Sequence, residues 1–167
     1  MTKHVGEVHH DWEILSYHNR LNVTARSISN GYIAENVQMG HLRRNLVKNP
    51  YNKSVYGIGY VGVGETPTTE NGRSTRVYRL WSDMLRRCYS GESKYPTYSD
   101  CSVDESWHCF QTFASDIKSI EGYELWLKDH NYQLDKDVKV EGNRLYSKDT
   151  CMFITFQENQ SARKFRV

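Results

Sequence analysis

The sequence predicts an α+β protein, in which a small N-terminal antiparallel β module precedes two central amphipathic helices and a C-terminal strand–loop–strand–helix segment. Three observations lead to this prediction. Short β-type runs separated by turn residues occupy the first part of the chain. Apolar side chains with helical spacing follow between residues 76 and 117. Residues 132–163 then contain two strand-like runs, a turn signal and a helix start.

The chain length of 167 residues fits one domain or two small ones. Residues 65–75 are polar, include Pro67 and Gly72, and lack aliphatic side chains, which is typical of a linker. We therefore expect a β-rich module at residues 1–64, a linker at 65–75, and a domain at 76–167 that holds the helices and the C-terminal segment.

The expected N-terminal module rests on two runs of partial alternation, residues 12–17 and 21–26, separated by a polar turn. Asn30-Gly31 is the strongest hairpin signal in the chain, and β-type residues 32–34 continue from it. These features predict a small antiparallel sheet.

Charge, cysteine usage and hydropathy limit the functional class. The net charge of +2 excludes a polybasic arm, and no apolar run approaches the length of a membrane span. No signal segment opens the chain, so we expect a cytoplasmic protein without membrane contact. Cys88 and the three later cysteines form no CxxC pair, which favours reduced, buried thiols; a zinc site from Cys101, His108 and Cys109 is the alternative.

The first central helix is the clearest one, and Ser74 or Thr75 can cap it. Its predicted apolar stripe consists of Val77, Leu80, Trp81, Met84, Leu85 and Cys88. The opposite face carries Arg76, Arg79, Arg86 and Arg87. Arginine side chains match phosphate geometry, so this face suits contact with a nucleic-acid backbone; an ordinary solvated face is the alternative.

Residues 40–64 offer a second basic stretch. Arg43 and Arg44 precede a segment that alternates tyrosines with glycines. Charges that meet phosphates beside rings that stack on bases suit nucleic acid. A glycine-punctuated strand whose tyrosines pack on the sheet explains the same pattern, and both interpretations stay open. Farther on, Trp107, Phe113 and Ile117 belong to an aromatic stripe that predicts a second helix starting near residues 104–106.

The C-terminal segment, residues 132–163, is called the finger below. A polar strand carries Asp135 and Asp137 into a turn at residues 141–143, and a second, apolar run covers residues 151–156. Thr155 is a plausible N-cap of a short helix, with Glu158 completing a capping box.

Several motifs together resemble a known family. They are residues 49–51 (NPY), 55–60 (VYGIGY), 78–89 (YRLWSDMLRRCY), 95–103 (YPTYSDCSV), 107–114 (WHCFQTFA), 134–137 (LDKD), 142–147 (GNRLYS) and 150–151 (TC). The chain is similar in these motifs to phage-encoded proteins described as HNH (ββα-metal) endonuclease-like or AP2-domain homing-endonuclease-like. The resemblance implies a finger with the order strand, loop, strand, helix.

By this resemblance, Asp135 stands at the metal-ligand position of the first strand and Asn159 at the ligand position of the helix. With Asp137 nearby, they would hold Mg²⁺ or another divalent metal ion. Lys136 replaces the general-base histidine, and Thr150 replaces the asparagine that orients it. A lysine of ordinary pKa is a poor base at neutral pH, although it is a good phosphate ligand. Pairing of these acids with neighbouring lysines is the structural alternative.

The resemblance predicts a DNA-binding protein that is a metal-dependent nickase or endonuclease with an altered site. The catalytic positions are Lys136, Thr150 and Glu158, and His108 and His130 are further candidates for activating water. The expected DNA-contacting residues are Arg43, Arg44, Arg76, Arg79, Arg86, Arg87, Arg144 and Arg163.

The alternative is an inactive scaffold that binds nucleic acid or a host protein as a regulatory or host-takeover factor. In either case, a phage-encoded chain would act in the host-cell cytoplasm. Both a monomer and a homodimer are compatible with the sequence.

Overall fold

The chain divides between Asn52 and Lys53 into two units. The structure, a computed structural model, describes residues 4–92, 98 and 100–164, and of residues 163 and 164 it describes the backbone alone. Helices and strands are both present, with a small antiparallel sheet in the first unit, and this confirms the predicted α+β class.

The first unit is a four-stranded antiparallel sheet followed by one short helix. Its elements are β1 (Val8–His9), β2 (Trp12–Asn19), β3 (Asn22–Ser27), β4 (Ile33–Val37) and α1 (Met39–Arg43). The strands neighbour one another in chain order. Alternation along β2 and β3 buries Trp12, Ile14, Val23 and Ala25 in one cluster with Leu42 of α1.

The Asn30-Gly31 turn lies where the sequence predicts it, between β3 and β4. The backbone N–H of Ser27 donates to the carbonyl of Tyr32 at 2.8 Å, and Gly31 has a φ of 77°. Helix α1 was not predicted. It forms in the basic stretch because Met39 and Leu42 both bury their side chains in the core of this unit.

The second unit contains most of the helices. Its elements are β5 (Thr69–Glu70), β6 (Arg73–Ser74), α2 (Arg76–Tyr89), β7 (Ser102–Val103), α3 (Phe110–Asp116), α4 (Tyr123–Lys128), β8 (Tyr132–Asp135), β9 (Leu145–Tyr146), β10 (Met152–Thr155) and α5 (Phe156–Lys164). Single 3₁₀ turns occupy Glu105–His108 and Ile117–Ser119. No helix in the described ranges has both the length and the apolar character needed to span a bilayer.

Helix α2 confirms the predicted apolar stripe and cap. The hydroxyl of Thr75 accepts a hydrogen bond from the backbone N–H of Tyr78 at 3.2 Å, which satisfies one of the unpaired donors of the first turn. Trp81, Met84 and Leu85 are fully buried in the main core. Because this face of α2 packs in the core, the arginines of the helix lie on its other faces.

The second predicted helix is interrupted at Cys109, where the backbone is extended. Tyr60 forms a parallel bridge with Cys109, in which its N–H donates to the carbonyl of His108 and its carbonyl accepts from the N–H of Phe110, both at 2.9 Å. The pairing takes up the backbone groups that a continuous helix would use. Two shorter helical pieces therefore replace the expected one.

The same bridge corrects the predicted domain boundary. Residues 53–64 belong to the second unit rather than to the β-rich module, because they pack on α2 and α3. Gly59 is buried, and a Cβ added there would clash with Leu85. The glycines of this segment thus permit close packing, although the segment forms isolated bridges rather than the strand of the structural alternative, and Tyr51 and Tyr56 are exposed.

The predicted linker, residues 65–75, is also ordered structure. It contains the β5–β6 hairpin, and Gln111 of α3 bonds both backbone groups of Thr66, at 3.0 Å to its N–H and 2.9 Å to its carbonyl. The prediction of a free linker here was wrong. Helix α4 was not predicted from the sequence, and it forms with Tyr123 and Trp126 buried.

Candidate functional site

The finger has the order β8, loop, β10, α5. Strands β8 and β10 pair antiparallel, and Asp135 at the end of β8 lies opposite Met152. Thr155 caps α5: its hydroxyl accepts from the N–H of Glu158 at 3.2 Å, while the Glu158 carboxylate accepts from both the N–H and the hydroxyl of Thr155 at 2.8 Å. The predicted capping box is therefore confirmed, and it sets the direction in which α5 leaves the sheet.

Asn159 lies in the first half of α5 and is buried, with 6% of its surface exposed. Its Nδ2 donates to Oε1 of Gln133 at 3.2 Å. Its Oδ1 is buried and has no hydrogen-bond partner among the described residues. A buried polar atom without a partner is costly, so this oxygen is a place where a ligand would be stabilising.

Asn159 and Asp135 lie on the same side of the finger. Gln133 and Asp135 are two residues apart on β8, so their side chains project from the same face of the strand. The hydrogen bond to Gln133 draws the amide of Asn159 to that face. Asp135 and Asn159 accordingly line one cavity of about 470 Å³.

Residues from four parts of the second unit line this cavity, called the finger cavity below. They are Arg87, Tyr98, Gln133, Leu134, Asp135, Lys136, Asp137, Glu141, Gly142, Arg144, Tyr146 and Asn159. The lining includes three basic and three acidic side chains, so its formal charge is balanced. It therefore suits an occupant that brings both charges, such as a phosphate with a cation.

Backbone N–H groups of the following residues hold the carboxylate of Asp135 in place. Its Oδ1 accepts from the N–H groups of Asp137 at 2.9 Å and Val138 at 2.8 Å. Burial raises the pKa of the Asp135 carboxyl, and the neighbouring carboxyl of Asp137 raises it further. A cation shared by these acids would remove the electrostatic cost of holding both ionised.

Lys136 is buried, with 6% of its surface exposed. Its ammonium lies 3.5 Å from Oδ2 of Asp137 and within 6 Å of two aromatic rings, 5.6 Å from Tyr146 and 5.9 Å from Tyr98. The side chain at the predicted general-base position is therefore engaged by an acid and by two aromatic rings.

The other two predicted catalytic residues are engaged elsewhere. Thr150 donates to the carbonyl of Leu145 at 2.7 Å and lies 2.9 Å from the hydroxyl of Ser147, so it organises the loop before β10. Glu158 is exposed and holds the capping box. Neither belongs to the lining of the finger cavity in the described part of the chain. The structure thus brings Lys136 to the site without Thr150 and Glu158.

Asn143 is a site-organising residue that the sequence interpretation treated only as a turn signal. Its Nδ2 donates to the carbonyls of Lys136 at 2.7 Å and Leu145 at 2.6 Å, and its Oδ1 accepts from the N–H of Leu145 at 3.2 Å. Asn143 therefore ties the end of β8 to β9. Its position inside a Gly-Asn-Arg motif was the available signal.

The predicted DNA-contacting arginines are dispersed. Arg87 and Arg144 line the finger cavity, and Arg144 also pairs with Asp100 at 3.4 Å. Arg79 is exposed on α2, whereas Arg86 pairs with Asp83 at 2.9 Å. Arg76 is fastened to Trp126 and to backbone carbonyls. Arg43 and Arg44 are exposed in the first unit, and the side chain of Arg163 lies outside the described residues.

The remaining metal and base candidates of the sequence lie apart from the cavity. His108 is close to the carbonyl of Val103, 3.1 Å from its Nε2, and His130 is exposed. No group of three or more His, Cys, Asp or Glu side chains suited to a metal occurs within residues 4–92, 98 and 100–164. The zinc set Cys101, His108 and Cys109 is therefore not assembled, and the cysteines form no disulfide there.

Burial keeps two thiols unreactive: it raises the pKa of Cys88 to about 11 and that of Cys151 to about 12.

Sequence reasoning missed Tyr98, Tyr146 and Gln133 as residues that line the finger cavity. Gln133 carried a signal, because it shares the face of Asp135 by strand alternation. Tyr98 and Tyr146 lie in two of the motifs that carry the resemblance, but those motifs did not indicate that they line a cavity.

Comparison with known proteins adds no further identification. The chain matches no protein-family profile, no curated protein and no solved structure.

Proposed function

We propose that the chain is a DNA-binding protein of the HNH/AP2-like endonuclease group, which holds a divalent metal ion beside a bound phosphate in the finger cavity. The observation that carries the proposal is the buried, unpartnered Oδ1 of Asn159 in the same cavity as Asp135. Carboxylate and amide oxygens are the donors that Mg²⁺ and Mn²⁺ prefer, so Asp135, Asp137 and Asn159 fit such an ion. Bound there, the ion would polarise a phosphate oxygen.

The protein side chains divide the work of binding. Arg87, Lys136 and Arg144 contribute positive charge to the cavity lining and would meet phosphate oxygens. Exposed Arg79 extends the basic surface along α2. Asn143 holds the loop so that Lys136 keeps its position.

A second candidate function, binding without cleavage, is favoured by one specific observation. Lys136 stands at the general-base position and is buried in an ion pair with Asp137. No histidine lines the finger cavity among the described residues. Such a scaffold would act by binding nucleic acid or a host protein without cleaving it.

A nicking assay separates the two candidates. Supercoiled plasmid is incubated with the full chain and Mg²⁺ or Mn²⁺, and relaxed circles are measured over time. Cleavage that requires the ion, is lost in Asp135→Ala and persists in Asp149→Ala supports the nuclease. Asp149 is the control because it is an exposed acid in the turn before β10.

Metal binding is tested separately from cleavage. Mn²⁺ at saturating concentration should raise the melting temperature of the wild type, because an ion that binds only the folded chain stabilises it by mass action. Asn159→Leu should lose most of this rise, whereas Gln160→Leu, an exposed neighbour on α5, should keep it. Equal shifts in both variants would contradict the assigned metal ligands.

DNA binding is measured without divalent ions by a gel shift at several salt concentrations. A salt-dependent shift without nicking supports the binding scaffold. If no shift occurs even at low salt, DNA binding is contradicted, and a protein partner becomes the better candidate.

A further inference from the structure

Two cations of the finger cavity approach the same aromatic ring. The guanidinium carbon of Arg87 lies 5.7 Å from the centroid of Tyr98, and the ammonium of Lys136 lies 5.9 Å from it. Arg87 is positioned from α2 by its Nε, which donates to the carbonyl of Asp83 at 3.1 Å. Side chains from α2 and from the end of β8 thus place two cations in the lining of one cavity, where a single anion could meet both.

The ion pair that Lys136 makes with Asp137 is a long one. The 3.5 Å between Lys136 and Asp137 is longer than the 2.7–2.9 Å of a strong charge-assisted hydrogen bond. An incoming anion with short hydrogen bonds would therefore compete well for Lys136.

Burial restricts which phosphate can reach this place. Lys136 is only 6% exposed, so its partner must enter the cavity rather than lie across its mouth. A phosphodiester inside a strand carries a nucleotide on both sides, which opposes deep entry. A terminal phosphate carries one substituent only, and about 470 Å³ lies within the range of pockets that hold small ligands.

We propose that the finger cavity binds a phosphate monoester, such as the terminal phosphate of a nucleic-acid strand, with Arg87 and Lys136 as its cationic partners. A monoester carries about −1.5 to −2 charge at neutral pH, which matches two cations better than a phosphodiester does. The inference rests on the proposed function for its nucleic-acid source, and it predicts that a phosphorylated strand end binds in the cavity more tightly than an internal phosphodiester.

The experiment compares oligonucleotides of one sequence that carry a 5′-phosphate, a 3′-phosphate or hydroxyls at both ends. Fluorescence anisotropy with the full chain, in EDTA and at fixed salt, measures binding without cleavage. We expect at least one phosphorylated form to bind about tenfold more tightly than the form with hydroxyl ends. Equal affinity of all three oligonucleotides would overturn the inference while leaving DNA binding and metal-dependent nicking intact.

Variants locate the effect. Lys136→Met should abolish the preference for a phosphorylated end, and Lys136→Arg should retain part of it. Lys148→Met is the matched control, because Lys148 is an exposed lysine that pairs with Asp116 at 2.9 Å outside the cavity. Melting curves identify any variant that fails to fold, and Arg87→Gln then supplies the second test. A preference that survives in folded Lys136→Met and Arg87→Gln contradicts the assignment.

A competition assay distinguishes the sources of the monoester. A nucleoside monophosphate that binds in the absence of any oligonucleotide binding supports the monoester site and contradicts the proposed DNA function. A monophosphate that displaces the phosphorylated oligonucleotide supports both. Failure of inorganic phosphate and of the monophosphate to displace that oligonucleotide at millimolar concentration would contradict a monoester site.

Discussion

The guanidinium of Arg76 stacks on the ring of Trp126, with 4.2 Å between its carbon and the ring centroid. Arg76 also donates to the carbonyls of Leu127 at 3.1 Å and Asp129 at 3.2 Å, the last residues around the end of α4. The start of α2 is thereby joined to the end of α4. Arg76 thus has a structural role, although the sequence grouped it with the DNA-contacting arginines.

We therefore predict that Arg76→Ala and Arg79→Ala separate stability from binding. Arg76→Ala should lower the free energy of unfolding by about 1–2 kcal/mol, through the lost cation–π contact and the unpaired carbonyls. Arg79→Ala, at an exposed position of the same helix, should leave stability unchanged and weaken DNA binding. It should also reduce the salt slope by about one. Urea unfolding and salt-dependent anisotropy are the measurements, and the reverse pattern would contradict both roles.

The capping box of α5 gives the second prediction. Thr155→Ala removes the acceptor for the Glu158 N–H and one donor to its carboxylate, and should cost about 1 kcal/mol of unfolding free energy. Thr112→Ala is the control, because Thr112 is exposed within α3 and caps nothing. Urea denaturation of both variants checks this. Equal stability of the two would show that the box contributes little.

Gly59 gives the third prediction. A Cβ at this position would clash with Leu85 and lie 3.0–3.1 Å from two ring carbons of Trp81. Gly59→Ala should therefore destabilise the second unit by about 1–3 kcal/mol, as overpacking of a core does. Gly40→Ala is the control, since the nearest atom to its added Cβ is 3.8 Å away on flexible Arg44, and alanine favours helix. A neutral Gly59→Ala measured by thermal unfolding would contradict the tight packing.

Asp135 gives a pH-dependent prediction. Burial raises the pKa of its carboxyl above the ordinary value of 3.8, so the folded chain retains a proton that the unfolded chain loses. The contribution of this group to stability is present below the unfolded pKa and is lost as pH rises through the folded pKa. Without added metal, Asp135→Asn should thus gain stability relative to the wild type as pH rises from the unfolded pKa through the raised folded pKa.

Chemical denaturation at several pH values measures this difference, with Asp149→Asn at an exposed turn as the control. A difference between wild type and Asp135→Asn that does not change with pH would contradict the raised pKa.

Local sequence signals predicted the elements whose cause is local. The stripe of α2, the cap at Thr155 and the Asn30-Gly31 turn each depend on residues within a few positions, and each occurs in the structure. The break at Cys109 depends on pairing with Tyr60, which no periodicity reveals. The ordered residues 65–75 likewise depend on distant Gln111.

The site was predictable to a similar degree. The resemblance led to Asp135, Asp137 and Asn159, which line one cavity. It also selected Thr150 and Glu158, whose side-chain oxygens are taken up by the loop and the helix cap. Tyr98 and Tyr146, which surround Lys136, depend on tertiary contacts alone.

The lining of the finger cavity spans the chain from Arg87 on α2 to Asn159 on α5. During synthesis on the ribosome, Arg87 is therefore made long before Asn159. The lining of the cavity is therefore incomplete until α5 has emerged from the exit tunnel. A chain truncated after β10 would carry Arg87, Lys136 and Arg144 while lacking Asn159.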